Sequence, residues 1–144
     1  MGVYLKEGDE YRKVDVRSQF IQVYINSLDV LSRVTAPSAL HLLFWAISNM
    51  NERNIVKIRK DDKLEFIYEV FKGGGVKYSL STVNKALRML SDNNILISHN
   101  TNNERSGVYF INPIYFWKGS DQSERKQFIA DTIEFIKHKD NEKN

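Results

Sequence analysis

An α+β fold is predicted for this chain of 144 residues by the spacing of its apolar residues. Segments with helical spacing fill the middle and the end of the chain, and short segments with alternating spacing lie between them. The hydrophobic share of 42% can supply one core, and the charged share of 27% is that of an ordinary folded domain. The absence of cysteine excludes disulfide staples and zinc sites built on thiolates.

The first 34 residues show no helical period. Residues 1–19 are polar and mixed in charge, and we expect them to form an arm outside the domain or an edge element. Residues 20–34 are rich in β-branched and aromatic side chains, which predicts a strand or a hairpin. The domain is therefore expected to extend over residues 20–136.

Two helices with a short strand between them are predicted next. The first runs over residues 37–50 and tolerates Pro37 in its first turn. Its core-facing residues are expected to be Leu40, Leu43, Phe44, Ile47 and Met50. A short strand covers residues 55–58, and the second helix runs from 60 to 71 before three glycines end it. The core-facing stripe expected of this second helix consists of Leu64, Ile67, Tyr68 and Phe71.

A third helix and a hairpin follow. Ser79 is a good N-cap for a helix that runs to about Asn93. Its core face is predicted to consist of Val83, Ala86, Leu87 and Leu90. Residues 95–98 and 108–111 alternate in hydropathy and are joined by a polar turn over residues 100–107, so a β-hairpin is predicted.

The chain is predicted to end in a helix and a charged tail. Asp121 and Glu124 have the spacing of a capping box. The helix that follows carries an apolar stripe of Phe128, Ile129, Ile133 and Ile136. Residues 137–144 are expected to form the tail. The stripe packs either on its own core or on a second copy, and a homodimer is one hypothesis.

The net charge of +3 is unevenly distributed. Residues 1–52 have a net charge of −1, residues 53–105 of +4 and residues 106–144 of zero. Within the middle part, residues 72–91 hold Lys72, Lys77, Lys85 and Arg88 and no acidic residue. A local positive field of this kind suits phosphate, although a solvated basic face is the alternative.

The order helix, strand, helix, helix, hairpin is that of a winged helix-turn-helix. In that arrangement the third helix enters the major groove of DNA and the hairpin tip reaches the backbone or the minor groove. If the apolar residues of the third helix face the core, Ser81, Asn84, Lys85 and Arg88 project outward together. Asn pairs with an adenine edge, and Lys and Arg contact guanine or phosphate.

The candidate DNA-binding residues form two groups. Those in and just before the third helix are Lys77, Ser79, Ser81, Thr82, Asn84, Lys85 and Arg88. Those at the wing tip are Asn102, Asn103 and Arg105, although Asn and Gly are typical of any tight turn. Three further cations before the second helix are weaker candidates for the DNA backbone: Lys57, Arg59 and Lys60.

Two motifs carry a resemblance to known proteins. Residues 79–90, with the pattern SxSTVxxALxxL, are similar to recognition helices across the winged-helix superfamily. Residues 107–113 (GVYFINP), followed by residues 116–119 (FWKG), resemble the ending of the small-plasmid replication and maintenance family RepL. The resemblance covers residues 20–128 and implies origin binding that starts or maintains plasmid replication, with a replication-machinery protein as a possible partner.

Other chemistries find little support in the sequence. The glycines 73–75 lack the contiguous Gly-Lys-Ser/Thr of a phosphate-binding loop. The three histidines are scattered and no nucleophilic triad can be assembled, so we expect neither a metal or other cofactor nor an enzyme. The longest apolar run, residues 42–47, is too short to cross a membrane, and the N-terminus has no apolar signal core. A cytoplasmic protein is expected.

Alternatives to origin binding stay open. The same fold could serve a transcriptional regulator of a phage or mobile element, or it could be a protein interaction module. The aromatic residues between 109 and 117 could stack single-stranded bases, or they could pack in the core. Sequence-specific binding of double-stranded DNA is the prediction that the element order favours.

Overall fold

The computed structural model describes residues 2–7, 10–15, 21–98 and 107–142. This part of the chain is α+β, as predicted. Its elements in chain order are β1 (Gly2–Glu7), β2 (Glu10–Asp15), β3 (Gln22–Val23), α1 (Ser27–Leu31), α2 (Pro37–Asn49), β4 (Ile55–Lys57), α3 (Lys60–Gly74), α4 (Leu80–Asp92), β5 (Leu96–Ser98), β6 (Val108–Ile111), β7 (Phe116–Trp117) and α5 (Gln122–Glu142).

The segment α2 to β6 has the element order and sheet of a winged helix-turn-helix. β4, β6 and β5 form a three-stranded antiparallel sheet with β6 in the centre. Ile55 lies opposite Phe110, and Leu96 lies opposite Ile111. The predicted short strand and both strands of the predicted hairpin are therefore confirmed. The sheet packs against the three helices, which are all of the predicted type and nearly the predicted length.

α2 is the central helix of the core. Its side chains with no exposed surface are Ala39, Leu42, Leu43 and Ala46. They meet the inner faces of the two following helices, which contribute Phe66, Val83 and Leu90. The prediction of a core-facing Phe44 is wrong, because this ring is 60% exposed. Leu43 is buried as predicted, and Leu42, which the predicted series omitted, is completely buried as well.

The predicted stripe of α3 is also wrong in part. Leu64, Tyr68 and Phe71 are exposed, whereas Phe66 is completely buried. α3 carries a second apolar series at helical spacing, Phe66, Ile67 and Val70, and this series packs on the core. Two faces of the helix have apolar periodicity, and only the contact with α2 and α4 decides which face is covered.

The N-terminal part differs most from the prediction. The strand expected over residues 20–34 is only the two-residue β3, which pairs with β7. A turn at residues 25–26 leads into the short helix α1, which places Val30 and Val34 in the core. In the region expected to be an arm or an edge element, β1 and β2 pair as an antiparallel hairpin. At the other end of the chain, α5 continues to Glu142, through most of the segment expected to be a tail.

A buried asparagine fastens the segment after the sheet to the turn before β4. Asn54 has φ of 63° and no exposed surface. Its Nδ2 donates to the carbonyl oxygens of Ile111 (2.9 Å) and Phe116 (2.7 Å), and its Oδ1 accepts from the backbone N–H of Lys118 (3.1 Å). Lys118 Nζ in turn donates to the carbonyl of Met50 at 2.6 Å, at the end of α2.

Candidate nucleic-acid interface

The start of α4 is set by a glycine and an N-cap. Gly75, with φ of 74°, ends α3 in the left-handed conformation that glycine adopts without strain. Ser79 caps α4, because its Oγ accepts from the backbone N–H of Thr82 at 3.1 Å. The connection between the helices is held by Tyr78, which stacks on Phe66 and hydrogen-bonds to Nδ1 of His41 at 2.7 Å. α4 therefore has a fixed position on the core.

One face of α4 is buried and the opposite face is polar and exposed. Val83, Ala86 and Leu90 are buried against the core. The exposed residues of the opposite face include Ser81, Asn84, Lys85 and Arg88. At 3.6 residues per turn these four positions span about 100° of the helix circumference. The structure therefore brings together the four side chains that the sequence assigns to the major groove.

Three other candidates occupy different positions. Ser79 and Thr82 belong to the helix cap, where their hydroxyl oxygens lie 3.0 Å apart. Thr82 is half-buried and lies at the edge of the exposed face. Lys77 is exposed in the connection that precedes α4. Asn102, Asn103 and Arg105 of the predicted wing tip lie outside the described residues.

A lysine of α3 joins the exposed face of α4. Lys63 Nζ donates to Oδ1 of Asn84 at 2.9 Å, so the first turns of α3 stand beside the middle of α4. Lys63 is not among the residues predicted from the sequence. Its position could have indicated the contact, because Lys63 lies in the first turn of α3, on the same side of the helix as Phe66 and Ile67. The predicted stripe shares Ile67 with that side but is centred on Leu64 and Phe71, so Phe66 and Lys63 lie outside it.

The base of the wing lies beside the start of α3. Ile58 N–H donates to the carbonyl oxygen of Gly107 at 2.8 Å. Gly107 has φ of 68°, and a Cβ at this position would lie 2.8 Å from Cγ of Arg59. Lys57, Arg59 and Lys60 are all exposed here. Their exposed side chains therefore lie near Gly107, at the start of β6.

The aromatic residues of the C-terminal part are mainly structural. Phe110, Phe116 and Trp117 are buried. Phe128 of α5 packs on Phe110 with ring centroids 4.8 Å apart, and it also contacts Trp117. Buried rings are not available for stacking with bases. The first part of the apolar stripe on α5 thus packs on its own domain, whereas Ile133, further along, is 39% exposed.

Two other features are absent from the described part of the chain. No group of three or more His, Cys, Asp or Glu side chains stands close enough together there to hold a metal ion. Among the same residues, no helix has the length and hydropathy that a membrane span needs.

The fold and the exposed face define the class of this protein as an α+β domain with a winged-helix element order and a cationic, polar second helix in its helix-turn-helix unit. The chain belongs to the RepL family, because the family model described as Firmicute plasmid replication protein (RepL) matches residues 5–144. A role in plasmid replication follows from this membership. Searches of curated proteins and of solved structures find no match to the chain.

Proposed function

We propose that this protein binds double-stranded DNA of its plasmid's replication origin in a sequence-specific manner, in the cytoplasm and without catalysing a reaction itself. The observation that carries the proposal is the exposed face of α4, where Asn84, Lys85 and Arg88 stand together on a rigidly held helix. The major groove is about 12 Å wide and admits an α-helix, whose side chains then reach the base edges. Family membership supports the choice of origin DNA.

The charge distribution supports a nucleic-acid partner. The chain from residue 72 to residue 91 has no acidic side chain, and Lys72, Lys77, Lys85 and Arg88 are all exposed. α3 is nearly neutral, because its lysines are balanced by Asp61, Asp62, Glu65 and Glu69. Phosphate groups would therefore meet the positive surface on the side of α4 and of the connection before it.

The experiment is selection of bound duplexes from a random-sequence pool at two salt concentrations. We expect an enriched motif and affinity that falls steeply with salt, because cations that neutralise phosphates release counterions. A symmetric motif would indicate a homodimer on paired half-sites, and a single half-site would indicate a monomer. In a separate binding assay with fragments of the plasmid, preference for the origin over the promoters separates a replication role from transcriptional regulation.

Variants then locate the interface. Arg88→Ala should cost about 1–3 kcal/mol of binding free energy and relax preference at one base pair. Lys85→Ala removes one positive charge from α4, and its control Lys126→Ala removes one from the exposed surface of α5. Both variants change the net charge equally, so Lys85→Ala should weaken DNA binding more than Lys126→Ala does. Equal binding by Lys85→Ala and Lys126→Ala, together with unchanged binding by Arg88→Ala, would refute the placement of α4.

Failure of the wild-type protein to bind any duplex at low salt would contradict the proposal as a whole. The exposed apolar residues Leu64, Tyr68 and Phe71 on α3 would then favour a protein interaction module, whose binding to a replication-machinery partner would depend little on salt.

A further inference from the structure

The hydrogen bond between Lys63 and Asn84 fixes the orientation of the Asn84 amide. An ammonium group can only donate, so the atom of Asn84 that faces Lys63 Nζ at 2.9 Å is its oxygen. The Nδ2 group is therefore turned away from Lys63. Lys63 is half-buried beside α4, whereas Asn84 is exposed. The side chain that would meet a base pair thus presents its donor end, and a cation occupies its acceptor end.

This orientation opposes the usual pairing of asparagine with adenine. That pairing needs Oδ1 to accept from the adenine N6 amino group while Nδ2 donates to N7. With the Lys63 ammonium already on Oδ1, the amino group of adenine would approach a positively charged donor. Guanine presents two acceptors, N7 and O6, and no donor in the major groove. It therefore accepts hydrogen bonds from Nδ2 of Asn84 and from Lys63 without this conflict.

The rest of the exposed face has the same bias. Besides Asn84 and Lys63, its donors are Lys85 and Arg88, both of which suit guanine. Its acceptors in the described part of α4 are the hydroxyl of Ser81 and, at the last residue of the helix, the carboxylate of Asp92. Adenine N6 and cytosine N4 are donors, and they find few partners in the middle of this face.

We infer that Lys63 is a specificity-determining residue, which together with Asn84 makes the centre of α4 favour guanine over adenine. The inference rests on the proposed function, because it assumes that α4 lies in the major groove. The choice of base then depends on the contact between Lys63 of α3 and Asn84 of α4. The base preference at this position is thereby a property of the pair and not of Asn84 alone.

The test compares four proteins in the same selection from random duplexes: wild type, Asn84→Ala, Lys63→Met and Lys60→Met. Asn84→Ala identifies the base pair that faces residue 84, because the base preference of the wild type is lost at that position in this variant. At that base pair the wild type should prefer guanine to adenine by about tenfold, which corresponds to 1.4 kcal/mol. Lys63→Met keeps the aliphatic part of the side chain and leaves Oδ1 of Asn84 without the ammonium group. The preference for guanine over adenine should therefore fall below about threefold or change to a preference for adenine.

Lys60→Met is the matched control. It removes the same charge from the first turn of the same helix, at an exposed position, and should lower affinity without changing the base preference. Thermal unfolding of each variant verifies the fold. Adenine at the mapped position in the wild type, or a guanine preference unchanged in Lys63→Met, would overturn the inference and leave DNA binding intact. Absence of any duplex binding by the wild type would overturn the proposed function and the inference with it.

Discussion

Replacement of Asn54 is expected to cause the largest loss of stability of any polar substitution proposed for this domain. The side chain is completely buried and makes three hydrogen bonds, two from Nδ2 to the carbonyl oxygens of Ile111 and Phe116 and one from the Lys118 N–H to Oδ1. It thereby joins the turn before β4 to β6 and β7. Asn54→Ala removes all three bonds at once and leaves their partners in the interior.

The expected loss can be worked out from these contacts. Three hydrogen bonds at about 1 kcal/mol each give about 3 kcal/mol. Asn54 also has φ of 63°, a conformation that costs a residue such as alanine about 1 kcal/mol. The free energy of unfolding should therefore fall by about 4 kcal/mol, which lowers Tm by about 8–16 °C for a domain of this size. Urea and thermal unfolding followed by circular dichroism measure both quantities.

Asn94 supplies a matched control for the backbone part of this effect. It has φ of 56°, and its side chain makes no hydrogen bond within the described part of the structure. Asn94→Ala should therefore cost only about 1 kcal/mol, the conformational part alone. If Asn54→Ala and Asn94→Ala destabilise the protein equally, the three side-chain hydrogen bonds of Asn54 contribute nothing and the reasoning is refuted.

Two further predictions concern the elements that position the interface. Ser79→Ala removes the N-cap of α4 and should lower the free energy of unfolding by about 1 kcal/mol. The control Ser81→Ala, on the exposed face, should change it by no more than about 0.5 kcal/mol. Equal effects of the two variants in urea titrations would contradict the capping role of Ser79. Gly107→Ala should cost about 1–2 kcal/mol because of its positive φ and the approach to Arg59, and a Tm equal to that of the wild type would contradict this.

The helices of the core could be predicted from the sequence because each one carries local signals for its type and ends. Pro37 in a first turn, Ser79 as an N-cap and Gly75 after a last turn act within a few residues of the chain. The positions of β4, β5 and β6 followed from alternation in short apolar segments between turns. These signals need no knowledge of the tertiary structure.

The covered face of α3 could not be predicted in this way. Leu64, Tyr68 and Phe71 have helical spacing as good as that of Phe66, Ile67 and Val70, and only packing against α2 and α4 selects the second series. Lys63 was missed for the same reason, because its contact with Asn84 depends on which side of α3 faces inward. Errors in the orientation of a helix thus become errors in the candidate site.

The motif that resembles the RepL family, residues 107–113 and 116–119, has a structural role in this chain. It is therefore evidence for the fold and not for the DNA sequence that is bound. Asn112 is buried, and its Nδ2 donates to the carbonyl of Asn94 at 2.9 Å. A Cβ at Gly119 would lie 2.7 Å from the carbonyl oxygen of Glu52.

Asn112 thus fastens the chain after β6 to the turn that follows α4, whereas Lys118, on the carbonyl of Met50, and Gly119 hold it against the end of α2. None of them lies on the exposed face of α4. The motif therefore identifies the scaffold that holds the recognition helix, while the base sequence that is bound depends on the side chains that this helix and Lys63 present. For this reason a target site cannot be transferred from the motif, and it has to be determined by selection with this protein.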